Sequence, residues 1–214
     1  MAINEIKTKE ILNKIKPATL VAATKYASLE ELYELEKLGV EIFGENQVQV
    51  LIDKYNLYKG NAKFHMIGTL QTNKVKYIID KVELIHSVAN YRLIDEINKQ
   101  ASKRDIVMDI LIQINIAKEE SKHGFIEEEL DSVFNYLKDK ENVNPIGFMI
   151  MAPNIDPSDT EIYFENANKL LTLYKEKYKE YDLKELSMGM SNDYEYALKH
   201  GATYIRVGSL LFDK

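Results

Sequence analysis

The chain has 214 residues, of which 45% are hydrophobic and 29% charged, a balance that suits one domain with one sizeable core and argues against disorder. Its 28 basic and 34 acidic residues leave a net charge of −6, which argues against non-specific nucleic-acid binding but permits a local phosphate site of backbone N–H groups and one arginine. The absence of cysteine excludes disulfides, cysteine-based metal sites and thiol catalysis.

An opening helix is expected over residues 3–15. The start, Met1-Ala2-Ile3-Asn4-Glu5-Ile6, has no basic region followed by a long apolar core, so no secretory leader is expected. No apolar run approaches a membrane span, and the chain reads as soluble and cytoplasmic. The first strand is expected at residues 20–24, with Lys25 at its carboxyl end. Ser28-Leu29-Glu30-Glu31 is a capping box, Leu29, Leu32, Leu35 and Leu38 continue the helix, and Gly39 stops it. Strands follow at 40–44, 64–68 and 84–88. Leu93, Ile94, Ile97 and Ala101 make one helix face, followed by a strand at 110–115. Leu130, Val133, Phe134 and Leu137 make another, followed by a strand at 146–151. Pro157-Ser158-Asp159-Thr160-Glu161 caps a helix carrying Tyr163, Ala167, Leu170, Leu171 and Tyr174. The lysine-rich stretch 169–184 reads as a solvated helix face. The last strands are expected at 185–188 and 204–207.

Strict alternation of strands and helices implies a parallel sheet in an α/β fold. Eight such units favour a closed (β/α)8 TIM barrel over an open doubly wound sheet. Residues 1–214 are expected to form a single domain with few insertions.

Five clusters fall at strand ends: Thr24-Lys25, Phe43-Gly44-Glu45-Asn46, the run from His65 to Lys74, Ser187-Met188-Gly189-Met190-Ser191-Asn192-Asp193, and Arg206-Val207-Gly208-Ser209. A lysine at a strand's carboxyl end, partly desolvated, loses its proton more readily and can attack an aldehyde. Loops after strands seven and eight of such barrels frequently bind phosphate. Gly189 and Gly208 allow close backbone approach, and Ser191 and Ser209 supply hydroxyls. Together these residues suggest a Schiff-base lysine at one end of a phosphate-anchored cofactor. His65 reads as a hydrogen-bonded structural histidine, and His86, His123 and His200 form no metal-ligand spacing with it, so no metal is assigned. Asp193 and Glu195 read as first-turn acids stabilising a helix dipole rather than a catalytic pair.

These clusters, with Gln113-Ile114-Asn115-Ile116, Ser121-Lys122-His123-Gly124 and residues 186–191, resemble the pyridoxal phosphate homeostasis protein family, relatives of the barrel domain of alanine racemase. The likeness runs along essentially the whole chain. Tyr26 and Ala27 depart from it, since a proline is often seen there, but they lie outside the proposed contacts. The resemblance implies that pyridoxal 5′-phosphate forms a Schiff base with Lys25 and that Asn46 lies near the ring hydroxyl. It further implies that Ser191, with the backbone of Gly208 and Ser209, holds the phosphate. Arg206 is left facing either the pyridine nitrogen or the phosphate. The implied function is intracellular storage and delivery of the cofactor to apo-enzymes, by a monomer without significant turnover, nucleic-acid binding or membrane attachment. Racemisation needs acid/base groups on both faces of the cofactor, and only Leu210-Leu211-Phe212-Asp213-Lys214 follow the last strand, so no second domain is expected to supply one. The rival readings are a pyridoxal-phosphate-dependent amino-acid racemase or lyase, and a cofactor-free aldolase in which Lys25 attacks a sugar phosphate.

Overall fold

The computed structural model describes residues 2–119 and 122–213; Ser121, first residue of one of the motifs above, lies outside them with Met1, Glu120 and Lys214. Among the described residues eight strands alternate with eight helices. The strands are β1 (Thr19–Ala23), β2 (Ile42–Glu45), β3 (Lys63–Met66), β4 (Leu84–Val88), β5 (Met108–Ile114), β6 (Val143–Ile150), β7 (Glu185–Ser187) and β8 (Tyr204–Val207). The helices are α1 (Glu5–Lys14), α2 (Leu29–Lys37), α3 (Val48–Leu57), α4 (Val75–Ile78), α5 (Tyr91–Ser102), α6 (Leu130–Leu137), α7 (Glu161–Lys177) and α8 (Tyr194–Lys199). Every strand pairs in parallel with the next, and β8 closes on β1 through Val21↔Arg206 and its neighbours. The expected (β/α)8 barrel is the fold observed.

Strands covered by helices outside and packed side chains inside bury both faces, which is why they read as short apolar runs. Phe43, Phe64, Met66 and Ile85 join buried helix residues such as Leu32, Leu35, Ile94, Ile97 and Phe134 in one core cluster. Leu84, Leu111 and Met149, with Ile146, Met151 and Tyr204, form a separate cluster that fills the barrel interior. The capping box of α2 is formed: Ser28 Oγ accepts from Glu31 N at 3.3 Å, and Ser28 N donates to the Glu31 carboxylate at 2.6 Å. Gly39, at φ +100°, ends that helix as expected. Before the barrel, Ile3 bridges Phe212 and Asn4 N donates to Leu211 O at 2.9 Å, so the leading segment ties down the tail after β8.

Several boundaries differ from the sequence reading for local reasons. β3 stops at Met66, because Ile67, Gly68 and Thr69 leave the ladder to form the rim. A Cβ on Gly68 would lie 2.3 Å from the Asn46 carbonyl oxygen, so glycine lets these two rim segments touch. α7 ends at Lys177 rather than running through 184; Tyr178 leaves the helical region at φ −119°, ψ 66°. The sequence reading marked neither α3 nor α4. α3 has no side-chain cap at Gln47, and α4 is four residues long behind a 3₁₀ turn at Thr72–Lys74.

Candidate functional site

All six candidate residues lie at the carboxyl end of the barrel. Ala23, Lys25, Tyr26, Asn46, Gly208, Ser209, Phe212 and Asp213 surround a cavity of about 350 Å³. A second, of about 530 Å³, is lined by Asn46, Ser191, Arg206 and Gly208, together with Ile67, Thr69, Gln113 and Met149 among others. The two share Ala23, Asn46 and Gly208 as common walls, so Lys25 stands at one pole and Arg206 at the other. A larger cleft, about 560 Å³, opens near the start of β3 among Lys59, Lys63, Lys81, Asp80 and Glu83. It lies at the amino end, where barrels rarely build chemistry.

Lys25 is half-buried, and its ammonium sits 4.7 Å from the ring centre of the exposed Tyr26. Its backbone is clamped from behind. Thr24 Oγ1 donates to Glu45 Oε1 at 2.5 Å, and Lys54 Nζ donates to the same oxygen at 2.7 Å and to the Thr24 carbonyl. Glu45 is wholly buried and Lys54 nearly so, which makes this an ion pair inside the fold, under α3. It fixes the ends of β1 and β2, and so the residues that follow them, Lys25 and Asn46.

The opposite rim is built from β7 and β8. Ser209 Oγ donates to Ser191 Oγ at 3.0 Å, so two hydroxyls expected at a phosphate meet. Gly189 holds φ +87°, and a Cβ there would lie 2.6 Å from the Ala197 Cβ, so only glycine makes this turn. A Cβ on Gly208 would come within 3.2 Å of the Ala23 Cβ and would fill the shared wall. Asp193 accepts from Met190 N at 2.6 Å and braces the turn; burial raises its carboxyl above the ordinary range. Glu195 pairs instead with Lys14, at 2.6 Å. The two acids therefore have separate structural partners, with Asp193 at the N-cap of α8 and Glu195 in its first turn.

Arg206 is buried below that rim. Nη1 donates to Ser187 Oγ at 2.6 Å and Nη2 to the Ile150 carbonyl at 2.9 Å. Burial lowers its guanidinium to about 10, with the Asp193 charge opposing, so it stays cationic at neutral pH. The run from His65 to Lys74 divides. Thr69 reaches the larger cavity, His65 lies in the barrel interior, and Thr72, Asn73 and Lys74 are exposed away from both cavities. Gln113 lines the larger cavity and donates its side-chain amide to the His123 carbonyl at 2.9 Å, which ties two of the motifs together.

Sequence reasoning missed Gln113 as a wall residue, Phe212 and Asp213 as walls beside Lys25, and the partners of Arg206. Ser187 lay inside a quoted motif, and His86 shares the inward phase of Leu84 on β4, the signal that places it in the barrel interior.

The chain is thus a closed parallel (β/α)8 barrel whose carboxyl rim carries Lys25 and the hydrogen-bonded pair Ser191–Ser209, with Arg206 buried beneath. The family described as Alanine racemase, N-terminal domain, matches residues 7–213, and the chain belongs to that family. More narrowly, the chain is 43% identical over 199 residues to the pyridoxal phosphate homeostasis protein of Aquifex aeolicus, covering 91% of this chain and 86% of that one. Its fold superposes with a TM-score of 0.92 on PipY of Synechococcus elongatus solved without pyridoxal phosphate, at 27% identity and with 98% and 99% of the chains covered. The same protein with pyridoxal phosphate bound matches with a TM-score of 0.90, at the same identity and coverage.

Proposed function

We propose that this chain binds pyridoxal 5′-phosphate and serves its storage and delivery, with Lys25 as the amine that captures the aldehyde. The single observation that carries the reading is the shared pair of cavities, with Lys25 and Ser209 lining one, Ser191 and Arg206 the other, and the Ser209–Ser191 hydrogen bond joining them. The donor set suits an anionic ring compound. Two rim hydroxyls and the backbone beside Gly208 offer N–H and O–H groups to a phosphate. Asn46 lines both cavities and offers an amide to a ring substituent. Arg206 sits deeper than the serines, bonded to Ser187 and Ile150, which favours a ring-edge contact over a phosphate contact. Bound there, the cofactor supplies an electrophilic aldehyde and an aromatic ring that can draw electrons.

The walls favour holding over turnover. Apart from Arg206, the larger cavity is lined by Asn, Gln, Thr, Ser, Met, Ile, Ala and Gly, so the groups able to take or give a proton, Lys25, Tyr26 and Asp213, all line the smaller cavity on one side of the shared wall. Arg206 does not surrender its proton at neutral pH, so a nitrogen facing it stays unprotonated and the ring remains a weak electron sink. The names of the curated relatives speak of homeostasis rather than of a reaction. Apo-enzymes that use the cofactor are the proposed recipients, and the cytoplasm the proposed location. Residues 1–214 acting as one domain fit the continuous core around the barrel, and closure of the sheet, which among the described residues leaves no strand edge open, supports a monomer.

The test is direct. Added pyridoxal phosphate should turn the protein yellow, and borohydride should fix the adduct on Lys25. Peptide mapping that finds the reduced adduct on another lysine would overturn the assignment of Lys25. A protein that stays colourless at millimolar cofactor would overturn the function.

A further inference from the structure

Behind the cavity, four polar side chains from four strands meet inside the barrel. Arg206 of β8 donates to Ser187 Oγ of β7 at 2.6 Å. Ser187 Oγ lies 2.8 Å from His86 Nδ1 of β4. His86 Nε2 lies 2.9 Å from His65 Nδ1 of β3. Ser187 and His86 are wholly buried, and His65 and Arg206 nearly so. The chain thus crosses the barrel from the β7–β8 side to the β3–β4 side. Tyr204 packs against both imidazoles, with ring centres 5.6 Å away.

Counting donors fixes the direction of these bonds. The guanidinium has only N–H groups to offer, so Ser187 Oγ accepts from it. Among the described residues the one other partner of that hydroxyl is His86 Nδ1, so the serine proton points there. His86 is then protonated on Nε2 and donates to His65 Nδ1. His65 in turn carries its proton on Nε2. Each bond donates away from the cavity, and a chain of like-directed hydrogen bonds strengthens its members. The reverse direction would leave the serine proton buried without an acceptor.

We propose that Ser187, His86 and His65 are positioning residues for Arg206, a one-way donor chain that holds the guanidinium and aims its remaining N–H groups into the cavity. The chain has a second property. A carboxylate at position 187 would hold the arginine equally well but would cancel its charge. A hydroxyl backed by two neutral imidazoles holds it and leaves the full cation to the ligand. Burial keeps both imidazoles in the neutral form that this arrangement requires, His65 lowered to about 3 and His86 well below its ordinary value.

The inference rests on the cofactor-binding reading, and two measurements separate their failures. The first uses protein without cofactor: ¹⁵N NMR of labelled histidine and arginine. Both rings should be Nε2–H tautomers, and the slowly exchanging Arg206 guanidinium signals should be lost in Ser187→Ala. A Nδ1–H tautomer at His86 would overturn the chain whatever the cofactor does. The second is a double-mutant cycle on pyridoxal phosphate affinity. Ser187→Ala alone should weaken binding about tenfold and shift the visible band. In an Arg206→Ala background it should change nothing further, because it acts through that residue. Additive losses would mean that Ser187 contributes only to the fold or touches the ligand itself, and would refute the proposal. His86→Gln provides the same cycle if Ser187→Ala does not fold. Should the wild-type protein bind no pyridoxal phosphate, the functional reading fails alone, and the tautomers still decide the chain.

Discussion

Acidification should destabilise this protein earlier than its carboxylates alone would, because two buried imidazoles refuse protons. His65 is held at about 3, against an ordinary 6.5, by burial. His86 is held well below that ordinary value by burial first, then by His65 and the Arg206 charge. The sign follows from linkage. Above pH 6.5 both states carry neutral rings, and the shift has no effect. Below it the unfolded chain takes up protons that the folded chain does not, so stability falls as pH falls. The loss from His65 levels off only near pH 3, where the folded ring also protonates. At pH 5 an ordinary histidine is mostly protonated, and the linkage from His65 alone amounts to about 2 kcal/mol, with His86 acting in the same direction. That is a large part of a total stability of about 5–15 kcal/mol. Urea unfolding at pH 7 and pH 5, for the wild type and His65→Gln, reads it out. The variant should lose about 2 kcal/mol less between the two pH values than the wild type does. Equal losses in the two proteins would refute the reasoning, as would an NMR titration in which His65 protonates between pH 6 and 7.

Three further outcomes are expected. Lys54→Met should cost about 3–5 kcal/mol in urea unfolding, because it leaves the Glu45 carboxylate buried without its cation; a cost below 1 kcal/mol would mean that water reaches Glu45. Gly189→Ala should destabilise by about 1–3 kcal/mol and weaken cofactor binding together, since it strains the turn that presents Ser191, with the new Cβ 2.6 Å from Ala197; calorimetry and cofactor titration on one sample check both. Ser191→Ala should weaken cofactor binding roughly ten- to a hundredfold without abolishing Lys25 trapping at saturation, the scale of a lost hydrogen bond to a charged group; an unchanged titration curve would move the phosphate to another part of the rim.

How much of the candidate site was legible in the sequence depended on how local each signal was. Lys25, Ser191, Gly208 and Ser209 announced themselves because a strand end, a glycine turn and a hydroxyl are properties of adjacent residues. The capping box of α2 was legible for the same reason, since its two hydrogen bonds join residues three apart. α3 lacked such a punctuation mark at Gln47 and was passed over, although tertiary packing of Leu51 holds it in place. The roles behind the cavity were hidden by distance along the chain. Ser187 reads as one more small residue in a turn motif until His86, 101 positions earlier, is seen against it. His65 reads as structural, and it is, but its structural partner turns out to be the group that supports the arginine. Barrel closure brings β3 and β4 opposite β7 and β8, and no periodicity along one strand records which inward side chains then meet. A polar residue in the inward phase of a barrel strand therefore carries more information than its neighbours. Burial of a ring such as His86 is tolerable only if a partner waits across the interior, and in this protein the search for that partner ends at Arg206.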